Sequence, residues 1–514
     1  MKALLSASDR RGLEDLGWAL NEAGYDLVST GGTGRSLSDV GLPVTQVSDL
    51  TGFPEIMDGR VKTLHPKIHG GILARRDIPE HIDSMNVHGI DAIDVVVVNL
   101  YPFVQTVNRP DVTIDEALEN IDIGGPTLLR AAAKNYPHVV VVVDPDDYEW
   151  IAQRLRGTDK SEKGKDVISV EERKKLAQKA FQHVALYDTS IAQYLRVGGA
   201  IHTEELTLGY EKLNDLRYGE NPHQNASVFV DPMDSGGIVR GKRLHGIDMS
   251  YNNILDAEAA WMAVSDFHDQ AVAVVKHMNP CGLAVHEHQP TAYRKAFEGD
   301  SMSAFGGIVG FNTKVKAETA EEMQGVLLDV IVAPEYDPEA LDILKKRKST
   351  RVIEVKPSQS NLDGIDFRTV SGGALVQITD SICEDPLAWE VVTKKSPSGQ
   401  QLDDLHFAVK AMKNIKSNSI VLAKDQAMIG MGAGQPNRVT SVHLGLRVAG
   451  EKAHGCVMAS DAFFPFPDGI EMAAKGGVVA ISQPGGSVND DKVISVANDL
   501  GIVMMFTGVR HFKH

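Results

Sequence analysis

The sequence predicts an α/β protein whose N-terminal part is a layered, largely parallel sheet, on three observations. Through the first 150 residues, short β-rich runs alternate with helical patterns, as in sheets covered by helices. Two of the runs, Asp94 to Asn99 and Val139 to Val143, are almost unbroken valine, as strands buried on both faces require. A third, Tyr25 to Ser29, leads straight into Thr30-Gly31-Gly32-Thr33-Gly34, a glycine-rich passage from strand to helix.

Lys2 to Ser6 reads as the first strand, and Ser8 or Asp9 caps a helix with Leu13, Leu16 and Leu20 on one face. Asp58 to Gly71 reads as irregular, with Pro66 breaking any helix there. Gly157 to Asp166, free of large apolar side chains, reads as a solvated loop. Beyond it Ala180, Val184, Tyr187, Ile191 and Leu195 share a helix face that Gly198-Gly199 closes. The expected boundaries are a domain over 1–197, a linker over 198–212 and a second part over 213–514, long enough for two subdomains although no repeat is visible in it. Lys345-Lys346-Arg347-Lys348 reads as a solvated helix face, with a localisation signal as the alternative.

At 514 residues the chain exceeds a single core. Its formal charge of -17 opposes wrapping a nucleic acid and leaves small molecules as the expected partners. The longest apolar runs fall far short of the roughly 20 residues of a bilayer helix, and Asp9-Arg10-Arg11 arrives before a signal sequence can build. A cytoplasmic protein without membrane contact is expected. Cys281, Cys383 and Cys456 are widely spaced and form no C-x-x-C pair, so neither a disulfide framework nor a structural zinc site is encoded.

The amides of a glycine turn and of the helix after it can close on an anion. Ser29 to Gly34 therefore reads as a phosphate site, with an ordinary glycine turn as the competing reading. Ser8-Asp9-Arg10 ends the preceding strand, so both turns open on one carboxyl edge of a parallel sheet. Asp58 to Gly71 gathers Arg60, Lys62 and Lys67 with His65 and His69; a metal pair is discounted because no carboxylate or thiol ligand of suitable spacing accompanies the histidines. Asn99-Leu100-Tyr101-Pro102-Phe103 ends a buried strand, and Asp122-Ile123-Gly124-Gly125 precedes a helical run through Lys134-Asn135.

Taken in order, Ser6 to Asp9, Ser29 to Thr33, Gly59 to His65, Asn99 to Phe103 and Asp122 to Asn135 resemble the inosinate (IMP) cyclohydrolase domain of the bifunctional purine-biosynthesis family that joins it to aminoimidazole carboxamide ribonucleotide (AICAR) transformylase. The resemblance implies a methylglyoxal-synthase-like fold over 1–197. It implies a nucleotide phosphate near Ser8, Asp9, Arg10, Thr30, Gly31, Gly32 and Thr33, with Arg10 standing where the family can carry Lys, the same charge with a different geometry. The base and the ring-closing chemistry would involve Arg60, Val61, Lys62, Thr63, Val98, Asn99, Tyr101, Asp122 and Ile123, with Lys134 transferring the proton. Ring closure asks an amide nitrogen to attack a formyl carbon and water to leave. Donors to the oxyanion and a general acid are needed, which suits Lys62, Tyr101 and Lys134.

In the second part, Ala271 to Val275 reads as a strand delivering Lys276-His277 into a turn, Met278-Asn279-Pro280-Cys281-Gly282. A cation beside a base of near-neutral pKa suits proton transfer; a satisfied histidine at a strand end is the competing reading. Gly430, Gly432 and Gly434 do not make a dinucleotide loop, because Pro436 follows and the third glycine is misplaced.

Arg217 to Gln224, Ser303 to Gly307, Ser417 to Ser419, Gly432 to Arg438, Asp461 to Asp468 and the terminal Arg510-His511-Phe512-Lys513-His514 resemble the transformylase domain of the same family. That resemblance implies two cytidine-deaminase-like α/β subdomains without zinc, since the zinc-deaminase pattern that combines H-x-E with P-C-x-x-C is absent: Pro280-Cys281 has no second cysteine. It implies 10-formyltetrahydrofolate as co-substrate, leaves room for a monovalent cation, and implies a homodimer. His277 would take the proton from the AICAR amine and Lys276 would hold the oxyanion. Arg217, Tyr218, Gly306, Asp329, Asn418, Asp468 and Arg510 would hold the nucleotide, and Arg438, Val439, Phe463, Ser487 and Val488 the folate.

The implied activity is formyl transfer to AICAR followed by dehydrating closure of formyl-AICAR to IMP. The rivals are a methylglyoxal synthase, a zinc deaminase, and a methylglyoxal-synthase-like nucleotide-sensing module fused to a deaminase-like domain. The set Lys62, Tyr101 and Lys134 speaks against the first and the missing zinc ligands against the second.

Overall fold

The structure is a computed structural model describing residues 1–157, 167–197, 203–358 and 364–514. These form two compact units, Met1–Tyr210 and Glu211–His514. The expected loop beyond Gly157 and residues 198–202 of the expected linker, Gly198-Gly199 included, lie outside the described residues.

In the first unit β1 (Lys2–Ala7), β2 (Asp26–Ser29), β3 (Val44–Gln46), β4 (Val95–Asn99) and β5 (Val140–Val142) make one sheet in the order β3-β2-β1-β4-β5. Every pairing is parallel. The valine runs are β4 and β5, buried along their whole length and continuous with one core shared by the flanking helices. Because β1 lies between β2 and β4, the turns after all three open on one edge.

Three local expectations are corrected. The first helix, Leu13–Glu22, starts after a left-handed Gly12 with no side-chain cap; Ser8 and Asp9 are held elsewhere. Pro66 opens the helix Pro66–Leu73 instead of breaking one, since a first-turn residue needs no N–H and the proline φ is already helical. His65 caps that helix, its Nδ1 accepting from Lys67 N at 3.2 Å. The long helix Val170–Tyr194 opens on a Ser169–Glu172 capping box and ends before the glycines, with Ala180, Val184 and Tyr187 buried and Leu195 exposed.

The second unit opens with a ribbon of β6 (Glu211–Leu216) and β7 (Ala226–Val230). The main sheet then takes β8 (Lys242–His245), β9 (Ala271–Lys276), β10 (Asn279–Val285), β11 (Gly307–Phe311), β12 (Leu328–Ala333) and β13 (Arg351–Glu354). After a second ribbon, β14 (Ile365–Val370) with β15 (Gly373–Ile378), the sheet resumes with β16 (Glu390–Val391), β17 (Ile420–Lys424), β18 (Ala427–Gly432), β19 (Val457–Ser460), β20 (Ala480–Gln483) and β21 (Val503–Phe506). Its order, β16-β21-β20-β19-β17-β18-β10-β9-β11-β12-β13-β8, reads as two matching halves joined at β10 and β18.

The missing repeat is therefore present. Each half runs helix, hairpin, helix and three further strands, with the same pairings in both: β9 antiparallel to β10 and β11, then β11, β12 and β13 parallel; β17 antiparallel to β18 and β19, then β19, β20 and β21 parallel. Both leading helices, Tyr251–Ser265 and Gly399–Met412, open on a serine capping box. In both, an aspartate one and a half turns in takes the two N–H groups of the hairpin turn: Asp256 from His277 and Met278, Asp404 from Asp425 and Gln426. All four turn residues have positive φ.

Two smaller corrections concern this unit. Pro280 and Cys281 belong to β10, not a turn; a register shift between Pro280 and Gly282 absorbs the proline. The basic run at 345–348 follows the helix Pro338–Leu344 instead of lying on it; Lys345, Lys346 and Lys348 are exposed, while Arg347 turns inward and donates to the carbonyls of Val326 and Met323.

Candidate active sites

Asn99, the last residue of β4, organises the first site. Its Oδ1 accepts from Ser8 N at 2.6 Å and Asp9 N at 2.8 Å, while its Nδ2 donates to Asp9 O and to the Tyr148 hydroxyl. One buried amide thus pins the turn after β1. Thr33 ties the glycine turn to it, its Oγ1 accepting from Ala7 N at 3.0 Å and donating to Ala7 O at 3.1 Å. The helix Gly31–Asp39 starts directly after Thr30. A Cβ on Gly32 would sit 2.7 Å from Arg10 Nη2, so the guanidinium lies over the helix start and adds a full charge to its positive end. Ser8 to Arg10 and Thr30 to Thr33 therefore converge at one edge, as an anion site requires.

A second cluster adjoins the helix Gly124–Lys134. Lys62 Nζ donates to the Tyr101 hydroxyl at 3.4 Å. Asp122 Oδ1 accepts from Gly125 N at 2.8 Å, and Asp122 N donates to the Tyr187 hydroxyl at 2.8 Å. Burial raises the Asp122 carboxyl pKa, opposed by the Gly125 N–H and by the charge of Lys62. Thr63 Oγ1 lies 2.8 Å from where a Gly124 Cβ would stand. Lys62, Thr63, Tyr101 and Asp122 thus come together, with Ile123 exposed beside them.

Other expected residues are placed differently. Arg60 pairs with Glu119, Val61 bridges to Ile56, and the Val98 side chain is buried inside the sheet. Lys134 does not join Lys62 and Tyr101 in its own chain: it ends a helix that rises about 1.5 Å per residue, about 15 Å beyond the Asp122 end. There it lines a cavity of about 790 Å³ with His69, Arg130 and Phe181. Within this chain Lys62, Tyr101 and Asp122 form the cluster, and Lys134 stands apart from it.

In the second unit, strand directions bring the expected residues to one sheet edge. Lys276 ends β9, and Gly306 and Asp329 lie where β11 and β12 begin, the same side because β9 runs against β11. Since β10 and β18 are antiparallel, that edge continues past Asn418 before β17, Arg438 after β18, Phe463 and Asp468 after β19, Ser487 and Val488 after β20, and Arg510 after β21. At its centre the hairpin turn holds His277 at φ +52° and Met278 at φ +62°. Left-handed backbone costs a non-glycine residue about 1–2 kcal/mol, and Asp256, which spacing could not reveal, holds it there. Lys276 Nζ donates to Phe305 O and lies 3.6 Å from where a Gly306 Cβ would stand.

Arg438, expected among the folate residues, is only 7% exposed and already committed: it pairs with Asp461 and donates to Ser460 Oγ at 2.8 Å and to Asn418 Oδ1 at 2.6 Å. It orients Asn418. Arg438 starts the helix Arg438–Ala449, and Val439 follows, its N–H donating to the capping Asn437 Oδ1. Phe463 and Val488 are exposed on loops that Asn489 Nδ2 links to Pro465 O at 2.9 Å. Arg217 lies over the Tyr218 ring at 5.6 Å just past β6. Among the described residues no cluster of three His, Cys, Asp or Glu could hold a metal ion, and no helix is long and apolar enough to cross a membrane.

Two family models and many known proteins are similar to this chain. A family described as AICARFT/IMPCHase bienzyme matches residues 132–448, more than half of the chain, and an MGS-like domain matches residues 12–127. The bifunctional purine biosynthesis protein PurH of Thermoanaerobacter sp. (strain X514) is 49% identical over 514 residues, covering 100% of this chain and 99% of its own. The corresponding proteins of Dictyostelium discoideum, 47% identical over 543 residues, and Listeria monocytogenes, 48% over 515 residues, are matched along 100% of both chains. With both site edges accounted for and the likeness running end to end, the chain belongs to the AICARFT/IMPCHase bienzyme family.

Proposed function

We propose that the two activities of this bifunctional enzyme of the last two steps of IMP synthesis are divided between its two units, with 10-formyltetrahydrofolate as the formyl donor. The observation that carries the division is the pair of separate cationic edges, Arg10 over the Gly31–Asp39 helix in one unit and Lys276-His277 in the other.

The AICAR amine is a weak nucleophile because its lone pair is delocalised into the ring and carboxamide. His277 takes its proton as the nitrogen attacks the formyl carbon of the folate, and Lys276 stabilises the oxyanion of the tetrahedral intermediate. The folate nitrogen leaves with a proton, and formyl-AICAR remains. In the other unit the phosphate sits on Arg10 and the Gly31 to Thr33 amides. The carboxamide nitrogen attacks the new formyl carbon, Lys62 and Tyr101 hold the developing oxyanion, and water leaves with proton transfer from the Lys62–Tyr101–Asp122 cluster. Formyl transfer to so poor an amine is easily reversed, and ring closure removes its product.

Crystals soaked in inosinate and in AICAR are expected to show density at the Thr30 turn and at the His277 corner respectively; density at neither position overturns the reading. Gly32→Ala supplies a finer test. Alanine suits a helix by about 0.5–1 kcal/mol over glycine, yet its Cβ displaces Arg10. Thermal stability is expected to hold or rise while the KM for cyclisation increases about tenfold.

A further inference from the structure

His511, 3% exposed, lies between two carboxylates brought from more than a hundred residues away: Nδ1 meets Asp380 Oδ2 at 2.5 Å and Nε2 meets Glu384 Oε1 at 3.1 Å. Only the charged ring donates from both nitrogens. The backbone around it is stitched to the nucleotide edge. His511 N donates to Asp461 O at 3.1 Å, and Ser417 N to Lys513 O at 2.8 Å, while Lys513 N donates to Ser417 Oγ at 3.1 Å. Asp461 is the carboxylate that fixes Arg438 and, through Ser419 N, the start of β17. Arg510 itself is exposed, its guanidinium 4.6 Å over Phe512.

We propose that His511 is a positioning residue: held as an imidazolium between Asp380 and Glu384, it sets the terminal segment carrying Arg510 against the nucleotide edge and so couples AICAR affinity to proton concentration. The role of Arg510 rests on the function proposed above.

The charged and titratable groups around the clamp support a single titrating ring. Asp266, His406, Lys410 and Lys413 line the same small cavity as Glu384 and His511. Lys413 is neutralised by Asp266 at 3.1 Å, and burial together with Lys410 lowers the His406 pKa. For His511, burial opposes the charge, but the bonds to Glu384 and Asp380 outweigh it and raise its pKa. A raised pKa means that the clamp is complete below the unfolded-state value of about 6.5 and is lost as pH rises through the folded-state value.

The test is the AICAR KM and kcat of the full-length enzyme across that range, with cyclisation by the same protein as internal reference. In the wild type KM is expected to rise above a break that cyclisation lacks. His511→Gln, which cannot carry the charge, is expected to raise KM about tenfold below the break, to leave kcat within about threefold, and to flatten the profile. Asp380→Asn, at the more exposed partner, is expected to move the break to lower pH. An unchanged KM in His511→Gln, or a break persisting there at the same pH, overturns the proposal. If that variant does not fold, Asp380→Asn decides alone, a break at the wild-type pH overturning it. Failure of the functional reading would look different: the wild type would not formylate AICAR at all.

Discussion

Formyl transfer is expected to fall about a thousandfold in His277→Ala while ring closure by the same preparation keeps its rate. A positioned general base contributes about 10²–10⁴ in rate, and a thousandfold loss is the middle of that range. The turn itself must be kept apart from the base, because His277 occupies left-handed backbone held by Asp256. His277→Asn provides the control, since asparagine tolerates that conformation but cannot serve as the base. Both variants are expected to lose transfer to a similar extent with little change in the KM for AICAR. A His277→Asn enzyme with near wild-type kcat would remove the histidine from the chemistry and leave it a turn residue.

The reciprocal result is expected for Lys62→Met: cyclisation drops by about 10²–10³-fold, as loss of one preorganised oxyanion donor does, and formyl transfer is unaffected. Lys62 also lowers the pKa of the buried Asp122 carboxyl, so its removal leaves that group higher still. The cyclisation rate of the variant is therefore expected to climb with pH over a range where the wild type is level. Lys62→Arg, which keeps the charge, is expected to restore the level profile but only part of the rate. A Lys62→Met enzyme that cyclises normally would move the chemistry away from the Tyr101 cluster.

Much of this was readable from residue order because the signals were local. A valine run buried on both faces admits few structures, and β4 and β5 follow from it. The Thr30 turn and the Lys276-His277 strand end also declare themselves, one by glycine and the other by charge after a hydrophobic strand. What escaped depends on contacts distant in sequence. Asp256 and Asp404 look like ordinary polar helix residues until the hairpins close on them. The repeat hid for the same reason: its shared features are an acidic side chain and four left-handed residues, none of them glycine. The distance of Lys134 from the Lys62 cluster escaped because a helix carries its last residue far from its first, and the pairing of Arg438 because Asp461 stands 23 residues away along the chain.

The matching halves have a further consequence. Because β10 and β18 run antiparallel, the two hairpin corners fall on opposite rims of one sheet. Both are held by the same aspartate clamp, but one presents Lys276-His277 and the other Lys424-Asp425. One backbone frame is thus built twice, and only one copy sets an imidazole beside a lysine.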